Sequence, residues 1–491
     1  MQVGFTQSSI SRRLPLVKKD FKNAMCYGQT GSGKTTGFML PNIEDRLQAG
    51  YGLLIYDFKG TMHLQVKQIA KKNNRLEDVI EVGKLWGKKV NLLQHSTGAS
   101  IEKIYDVIHG ESNVNSYFKN ASATLLIDVY KIVKLAYEIS AIITIDPMRE
   151  PFKIIFKKHD IHNLSFKSLF SILRKPTNLS KFLEDMLLEC AILQETIKNN
   201  ETINDRIYIL YAGLANKLND LGQYRGLQEN DEIAGKYGVI GILTSLLSTL
   251  SNLDFLNENE FDIIDGLNNQ KIVILNVSSL TEATLGALNI SIYDELIKRA
   301  SFKQSNPIAI FIDEAQKVLH KNYLPDVDLC RENRFEYIFA TQDESLLVGK
   351  ISAQKTEELK RNIASVFSFK TNDDNYINTT KLKEFEYVNM NDNTTYLSIP
   401  IFSDEKELEL LEYDYQRINK VASNSKSTTK NKTILIHQAA LAEDYRTLCK
   451  NLKENTIEIC DYLPRDKIAH IKDNLSSYVT FDMLMGTTKI K

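Results

Sequence analysis

Residues 27–42 read YGQTGSGKTTGFMLPN, and their spacing suits one kind of chemistry. Gly28-Gln29-Thr30-Gly31-Ser32-Gly33-Lys34-Thr35 fits G-x-x-x-x-G-K-[ST], the pattern of a phosphate cradle. Glycines here let the backbone curl until successive N–H groups point at phosphate oxygens where a helix begins. Lys34 then meets the β- and γ-phosphates, and the Thr35 hydroxyl coordinates Mg2+, with Thr36 completing the loop. A chance Gly-rich turn would match these positions in roughly a few per cent of chains this long at ordinary glycine usage. A second stretch, NPIAIFIDEAQ at 306–316, supplies carboxylates: a bulky apolar run from Ile308 to Ile312 ends in Asp313-Glu314. Asp313 would hold Mg2+ through its water shell and Glu314 would polarise an attacking water as general base. Two adjacent acids can also begin a surface turn, but paired with the cradle they favour hydrolysis over transfer to a small molecule.

These residues need strands to carry them. NAMCY, just before the cradle, can be a buried strand, and TTGFML after it is compatible with a helix. GYGLLIYDFKG at 50–60 and RENRFEYIFATQDESLL at 331–347 repeat the buried-strand pattern, and the latter ends in Thr341-Gln342. A Gln at such a strand tip can contact the γ-phosphate and report its loss, and an Arg just upstream could reach a neighbouring subunit's nucleotide as an arginine finger. Between these strands, SYFKNASATLLIDVYKIVKLAYEIS at 116–140 places Phe118, Ala121, Leu125, Val129, Ile132, Val133 and Ala136 at helical spacing, and helical patterns continue to about 232. Strand and helix patterns alternate again from 262 to 370. The expected fold is α/β, a P-loop nucleotide-binding domain with a parallel central sheet and an inserted all-α domain.

Composition bounds the partners. With 491 residues, 61 basic against 62 acidic and a net charge of -1, no whole-molecule field draws the chain to a polyanion, so such a contact must be local. Seven basic residues between 151 and 182 (Lys153, Lys157, Lys158, Lys167, Arg174, Lys175, Lys181) face one acid, Asp160, and Arg12, Arg13, Lys18, Lys19 and Lys22 form a second cluster. Either could bind phosphates or be a solvated face. The five cysteines, at 26, 190, 330, 449 and 460, form no Cys-x-x-Cys pair and fit a reducing compartment. No signal peptide is apparent at the start, and YGVIGILTSLLSTLSNL at 237–253 reads as an amphipathic core helix, with Val239, Ile242, Leu243, Leu246, Leu247, Leu250 and Leu253 on its apolar stripe, rather than a membrane span. HDIH at 159–162 lacks partners for zinc, and the other histidines are expected to stand alone.

The order of GQTGSGKTTGFMLPN, LLIYDFKG, IAIFIDEAQ and an Arg upstream of ATQ resembles the type IV coupling proteins, of the FtsK/HerA group of ring-forming ATPases. VNLL at 90–93, GLNNQKIVILNVSSL at 266–280 and LKRNIASVFSF at 359–369 extend the resemblance over roughly 23–380, with a gap in the middle. It implies a RecA-like domain, ATP and Mg2+ as cofactors, DNA as partner, and a homo-oligomeric, hexameric ring that pumps DNA. By similarity Lys34, Thr35, Asp313, Glu314 and Gln342 inherit the nucleotide roles, and Arg331 falls where the finger is expected, with Arg334 as a close rival. Relaxosome or secretion-channel proteins would be further partners, and a cytoplasmic location with recruitment to the inner membrane follows. The family's Asp-Pro-Lys-Gly-Glu stands here as Asp57-Phe58-Lys59-Gly60-Thr61, without the proline and the acid. Members commonly begin with transmembrane helices, whereas about 22 residues precede the first strand here. Two alternatives stay open: a HerA-like motor for repair, packaging or defence, and an ATP-gated recruiter of protein substrates. The expected units are a basic arm at 1–22, the nucleotide domain at 23–112 and 234–421, an inserted all-helical domain at 113–233, a linker at 422–432 and a small unit at 433–491.

Overall fold

Apolar runs without polar alternation have to be strands covered on both faces, and here they are. The computed structural model describes residues 12–13, 16–84, 86–109, 115–142, 151–198, 205–227, 234–299, 305–369, 386–388, 395–397, 401, 408 and 410–412. The linker expected at 422–432 and the unit at 433–491 lie outside the described residues. In chain order the strands are β1 (Arg12–Arg13), β2 (Asn23–Tyr27), β3 (Gly52–Asp57), β4 (Val79–Val82), β5 (Ile272–Asn276), β6 (Ile308–Ile312), β7 (Phe335–Thr341), β8 (Ile363–Ser368), β9 (Glu386–Val388) and β10 (Thr395–Leu397). Seven of them form one sheet in the order β4-β5-β3-β6-β7-β2-β8. Every pairing in it is parallel. The strand before the cradle and the strand carrying the acids are thus separated by β7 alone. This is the expected P-loop α/β architecture, RecA-like in having a strand inserted between those two. A small second sheet pairs β1 with β10 and β10 with β9.

Successive side chains along each strand enter different cores, as the pleat requires. Cys26, Ile55, Phe311 and Ala340 pack on one face with Phe38, Ile43 and Val66 from the segments after β2 and β3. Met25, Tyr56, Ile310 and Phe339 pack on the other with a thick helical layer. The helix Ser116–Ile142 buries Leu125, Val129, Ile132, Val133 and Ala136 of the stripe its spacing predicts, while Phe118 and Ala121 are half-buried against the same core. It meets the helices Asp205–Asp220 and Ala234–Ser251, and the latter also packs on Phe166–Leu173. Val239, Leu243, Leu246, Leu247 and Leu250 of Ala234–Ser251 are buried, so the segment is a core helix. Among the described residues no helix is long and apolar enough to cross a membrane.

The helix Leu40–Gln48, which continues from the cradle, is anchored to β7 by charge. Arg46 Nε donates to Glu336 Oε1 at 2.8 Å with both side chains fully buried, and Arg46 also donates to Asp45 and to the Lys18 carbonyl. Burial holds the Glu336 carboxyl above its usual range, with Arg46 opposing. Removing one partner of a buried pair leaves an uncompensated charge, whereas replacing both with apolar groups often restores stability. Arg46→Met is therefore expected to destabilise the fold by about 3–5 kcal/mol, and Arg46→Met with Glu336→Met to recover most of it. Urea denaturation of the two variants checks this, and equal stability of both would contradict it.

Candidate functional site

Strand ends decide where the chemistry sits. In the parallel register Tyr27 lies opposite Thr341, and Tyr56 opposite Ile312, so β2, β3, β6 and β7 all finish on one edge. That edge, at the carboxyl ends of the strands, is where open α/β sheets bind ligands. Gly28 leaves β2 there, and its N–H donates to the carbonyls of Thr341 (3.2 Å) and Gln342 (3.1 Å). A Cβ at Gly28 would lie 2.6 Å from Ser32 Oγ and 2.8 Å from Phe369 Cβ, so no larger residue fits the close passage. Gly31 and Gly33 have φ of +78° and +93°, in the left-handed region that glycine adopts without cost. The residues Thr35–Met39 form π turns before the α-helix starts at Leu40. Lys34 is buried and its Nζ donates to the carbonyls of Gly28 and Gln29, folding the side chain back over the loop. Burial pushes the Lys34 ammonium below its ordinary pKa, with Asp313, Cys26 and Glu314 opposing. Thr30 and Gly31 form the exposed crest, while Thr36 Oγ1 donates back to the Gly33 carbonyl at 3.4 Å.

Thr35 Oγ1 donates to Asp313 Oδ2 at 2.9 Å, which closes the gap between the cradle and the acid strand. The next residue, Glu314, has a φ of +59°, unusual for a residue with a side chain. Such a backbone costs about 1–3 kcal/mol and persists when its surroundings hold it. The holding groups are clear. Lys59 Nζ lies 2.5 Å from Glu314 Oε1 and 3.7 Å from Asp313 Oδ2, while Gln342 Nε2 (3.2 Å) and Gln316 Nε2 donate to Glu314 Oε2. Gln316 is oriented in turn by Thr341 Oγ1 at 2.8 Å. Burial favours the neutral acid, yet the bonds and charge of Lys59, then those of Gln342 and Gln316, hold the Glu314 carboxyl below its usual range. Lys59 itself is held above its ordinary pKa: burial works against its charge, and the two carboxylates outweigh it. Thr35, Asp57, Lys59, Asp313 and Glu314 line one small cleft.

The structure therefore brings Lys34, Thr35, Asp313, Glu314 and Gln342 together. Arg331 and Arg334 are elsewhere: they precede β7 at its opposite end, separated from Gln342 by the strand's own length of about 20 Å at the rise of an extended chain. Arg331 is exposed, and Arg334 lies over the Phe21 ring at 5.6 Å. Of the basic cluster between 151 and 182, Lys158 pairs with Asp185 and Lys167 with Asp254, while Lys157, Arg174, Lys175 and Lys181 are exposed. Lys19 pairs with Asp45 and Lys22 with Asp20. Lys59 and Gln316 are missing from the residues expected from the sequence, although both lie inside stretches quoted there. The expectation that the remaining histidines stand alone is also corrected: His63 Nδ1 lies 2.7 Å from Asp57 Oδ2, because the turn after β3 folds a helix back on its own strand end.

No protein-family model and no curated protein matches the chain. Solved structures similar to it include the plasmid coupling protein TrwB in complex with the non-hydrolysable ATP analogue ADPNP, at 13% identity and a TM-score of 0.45, covering 78% of each chain. TrwB in complex with ADP and Mg2+ is similar at 13% identity and a TM-score of 0.44, over 80% of this chain and 82% of that one. VirB4 of Thermoanaerobacter pseudethanolicus is similar at 12% identity and a TM-score of 0.42, over 83% of this chain and 100% of that one. The chemistry of the cleft has to be argued from the residues in it.

Lys59 makes a direct test possible. Lys59→Met leaves the burial of Glu314 less opposed, so the titration midpoint of the Glu314 carboxyl is expected to rise. Carboxyl-carbon NMR across an acid titration reads it, and an unchanged midpoint would show that Lys59 is not what keeps Glu314 ionised.

Proposed function

We propose that this chain is an Mg2+-dependent ATPase that drives movement of DNA, working as a homo-oligomeric, hexameric ring. The observation that carries the ATPase part is the 2.9 Å contact from Thr35 Oγ1 to Asp313 Oδ2, which joins a glycine cradle to an acid pair. The cradle suits phosphate. Ser32 Oγ is buried there without a hydrogen-bond partner among the described residues, and a phosphate oxygen is the kind of group that would satisfy it. A hydroxyl beside a carboxylate is an all-oxygen donor pair, which suits Mg2+.

On this reading the N–H groups of Gly31 and of Gly33 to Thr36 surround the phosphates, and the Lys34 ammonium exchanges its loop carbonyls for phosphate oxygens. Thr35 and Asp313 would hold Mg2+, whose chemistry is to neutralise phosphate charge. Glu314, kept ionised by Lys59, accepts the proton of the attacking water. Gln342, already bonded to Glu314, is placed to sense the γ-phosphate and to pass its loss into β7. Arg331 serves a neighbouring subunit's site, a reading its exposed position at the far end of β7 permits. The DNA part rests on the order of motifs and on exposed basic side chains such as Lys157, Arg174, Lys175 and Lys181, which a ring would repeat around its pore.

Lys34→Ala is expected to abolish ATP binding. Glu314→Gln should bind ATP while turning it over about 10²- to 10⁴-fold more slowly, the usual contribution of a general base. Equilibrium binding and phosphate release distinguish them, and a Glu314→Gln protein with normal turnover would remove Glu314 from the mechanism. Phosphate release with and without DNA tests the motor: stimulation supports it, and indifference favours an ATP-gated recruiter of proteins. Sharing of sites predicts that Arg331→Ala mixed with Glu314→Gln regains activity in joint rings, and the absence of rescue would assign Arg331 no role in a neighbour's site.

A further inference from the structure

Behind the Asp57–Gly60 turn lies a buried group of ionisable side chains that the phosphate chemistry does not use. Asp57 Oδ1 accepts the Gly60 N–H at 2.7 Å, and Oδ2 accepts the His63 N–H at 3.0 Å and lies 2.7 Å from His63 Nδ1. The carboxylate can only accept, so Nδ1 carries the hydrogen. His63 Nε2 lies 3.8 Å from Glu412 Oε1. Glu412 Oε2 accepts from Lys67, whose Nζ also lies 2.8 Å from Glu81 Oε2. Glu81 Oε2 accepts in addition from Trp86 Nε1 at 2.7 Å. Asp57, His63, Lys67 and Glu81 are each at least 96% buried, with relative exposures of 1%, 4%, 0% and 1%.

A buried ammonium needs compensating charge. Glu81 supplies one carboxylate from β4, and the second comes from Glu412, which lies 345 residues beyond Lys67 in the chain. The residues 410–412 are thereby tied to the helix Met62–Lys72. The first turn of that helix is fixed to Asp57, and the same turn carries Lys59, whose ammonium holds Glu314 at 2.5 Å. The contacts from Glu412 through His63 and Asp57 involve ionisable groups in a largely dry setting, where such contacts are strongest, while Lys59 reaches Glu314 from the exposed side of the turn. A metal ion is the competing explanation, because donor atoms of His63, Glu81 and Glu412 lie within 4.8 Å of one another. Lys67, however, already contacts both carboxylates, and its ammonium would repel a divalent ion, so it is the resident cation of the group.

We infer that His63 and Glu412 are positioning residues: seating of residues 410–412 fixes the Asp57–Gly60 turn and, through Lys59, the attitude of Glu314. This rests on the ATPase reading for its consequence and on the contacts alone for its geometry. The experiment uses the full chain with Glu412→Gln, Glu412→Asp and His63→Asn. Amide hydrogen exchange reads the turn directly: the Gly60 and His63 amides, which donate to Asp57, should exchange about tenfold faster in Glu412→Gln and His63→Asn, with Glu412→Asp closer to wild type. Trp86 is the only tryptophan of the chain and donates into the group, so its emission should shift in Glu412→Gln. Turnover should fall about tenfold in kcat with KM for ATP unchanged, and Glu412→Gln should add no loss to a Lys59→Met background. Unchanged exchange at Gly60 and His63 would overturn the inference, as would losses that add fully on the Lys59→Met background. A shift in wild-type Trp86 emission on stoichiometric Zn2+ would overturn the assignment of Lys67 as the cation. Absence of phosphate release by the wild type would instead overturn the ATPase reading, leaving the exchange measurement to judge the inference.

Discussion

The structure depends on the parallel pairing of β3, β6, β7 and β2, which makes four separate strand ends finish on one edge. Residues 28, 59, 313 and 342 are far apart in the chain, and no local propensity brings them together. What does so is burial on both faces of the sheet, since strands with no polar face can only stack side by side under covering helices. Once the register sets Tyr27 against Thr341 and Tyr56 against Ile312, the cradle, the acid pair and the Lys59 turn share one cleft. A register slip of one residue would send the alternate side chains to the wrong core. The two cores fed by alternate residues, with Cys26 and Phe311 on one side and Met25 and Ile310 on the other, therefore guard the geometry of the site.

Charge at that edge is balanced within the cleft rather than by solvent. Lys34 is satisfied by the carbonyls of its own loop, and Asp313 by Thr35 and the Glu314 N–H. Glu314 is satisfied by Lys59, Gln316 and Gln342. A phosphate entering the cradle would replace the neutral carbonyl acceptors of Lys34 with anionic oxygens, adding ion pairing to hydrogen bonds that the ammonium already makes. Glu314 would keep its partners through that exchange. The cleft thus sets one cation held only by neutral loop carbonyls, Lys34, beside one anion held by a cation and two amides, Glu314.

The sequence made the cradle and the acid strand legible because each is local: a loop pattern followed by a helix, and an apolar run ending in two acids. The helical stripes of Ser116–Ile142 and Ala234–Ser251 were legible for the same reason, since their period of 3.6 is written in consecutive residues. Lys59 and Gln316 were not. A Lys one turn past a strand end reads as solvated, and only the neighbouring position of β3 and β6 shows that its ammonium must meet Glu314. His63 was hidden likewise, because its partners come from β3 and from residue 412. Asp57 offered a faint signal: an acid closing a strand before a Lys-Gly turn asks which donors it accepts, and the answer is Gly60 and His63.

The departure from Asp-Pro-Lys-Gly-Glu bears on the same turn. Proline would pre-set a backbone angle after the aspartate, and its absence raises the question of what fixes the turn instead. Two features do. Gly60 adopts a φ of +75°, a conformation that glycine takes freely, and Asp57 Oδ1 accepts its N–H. The helix Met62–Lys72 begins at Thr61, whose side chain makes no capping bond, so the cap is supplied from outside the helix by Asp57 Oδ2 on the His63 N–H. The carboxylate thus closes the turn, caps the helix and holds the imidazole at once, while Phe58 packs against the helical core rather than stiffening the backbone. Side-chain hydrogen bonds from Asp57 thus fix the turn carrying Lys59 where a proline would fix it covalently.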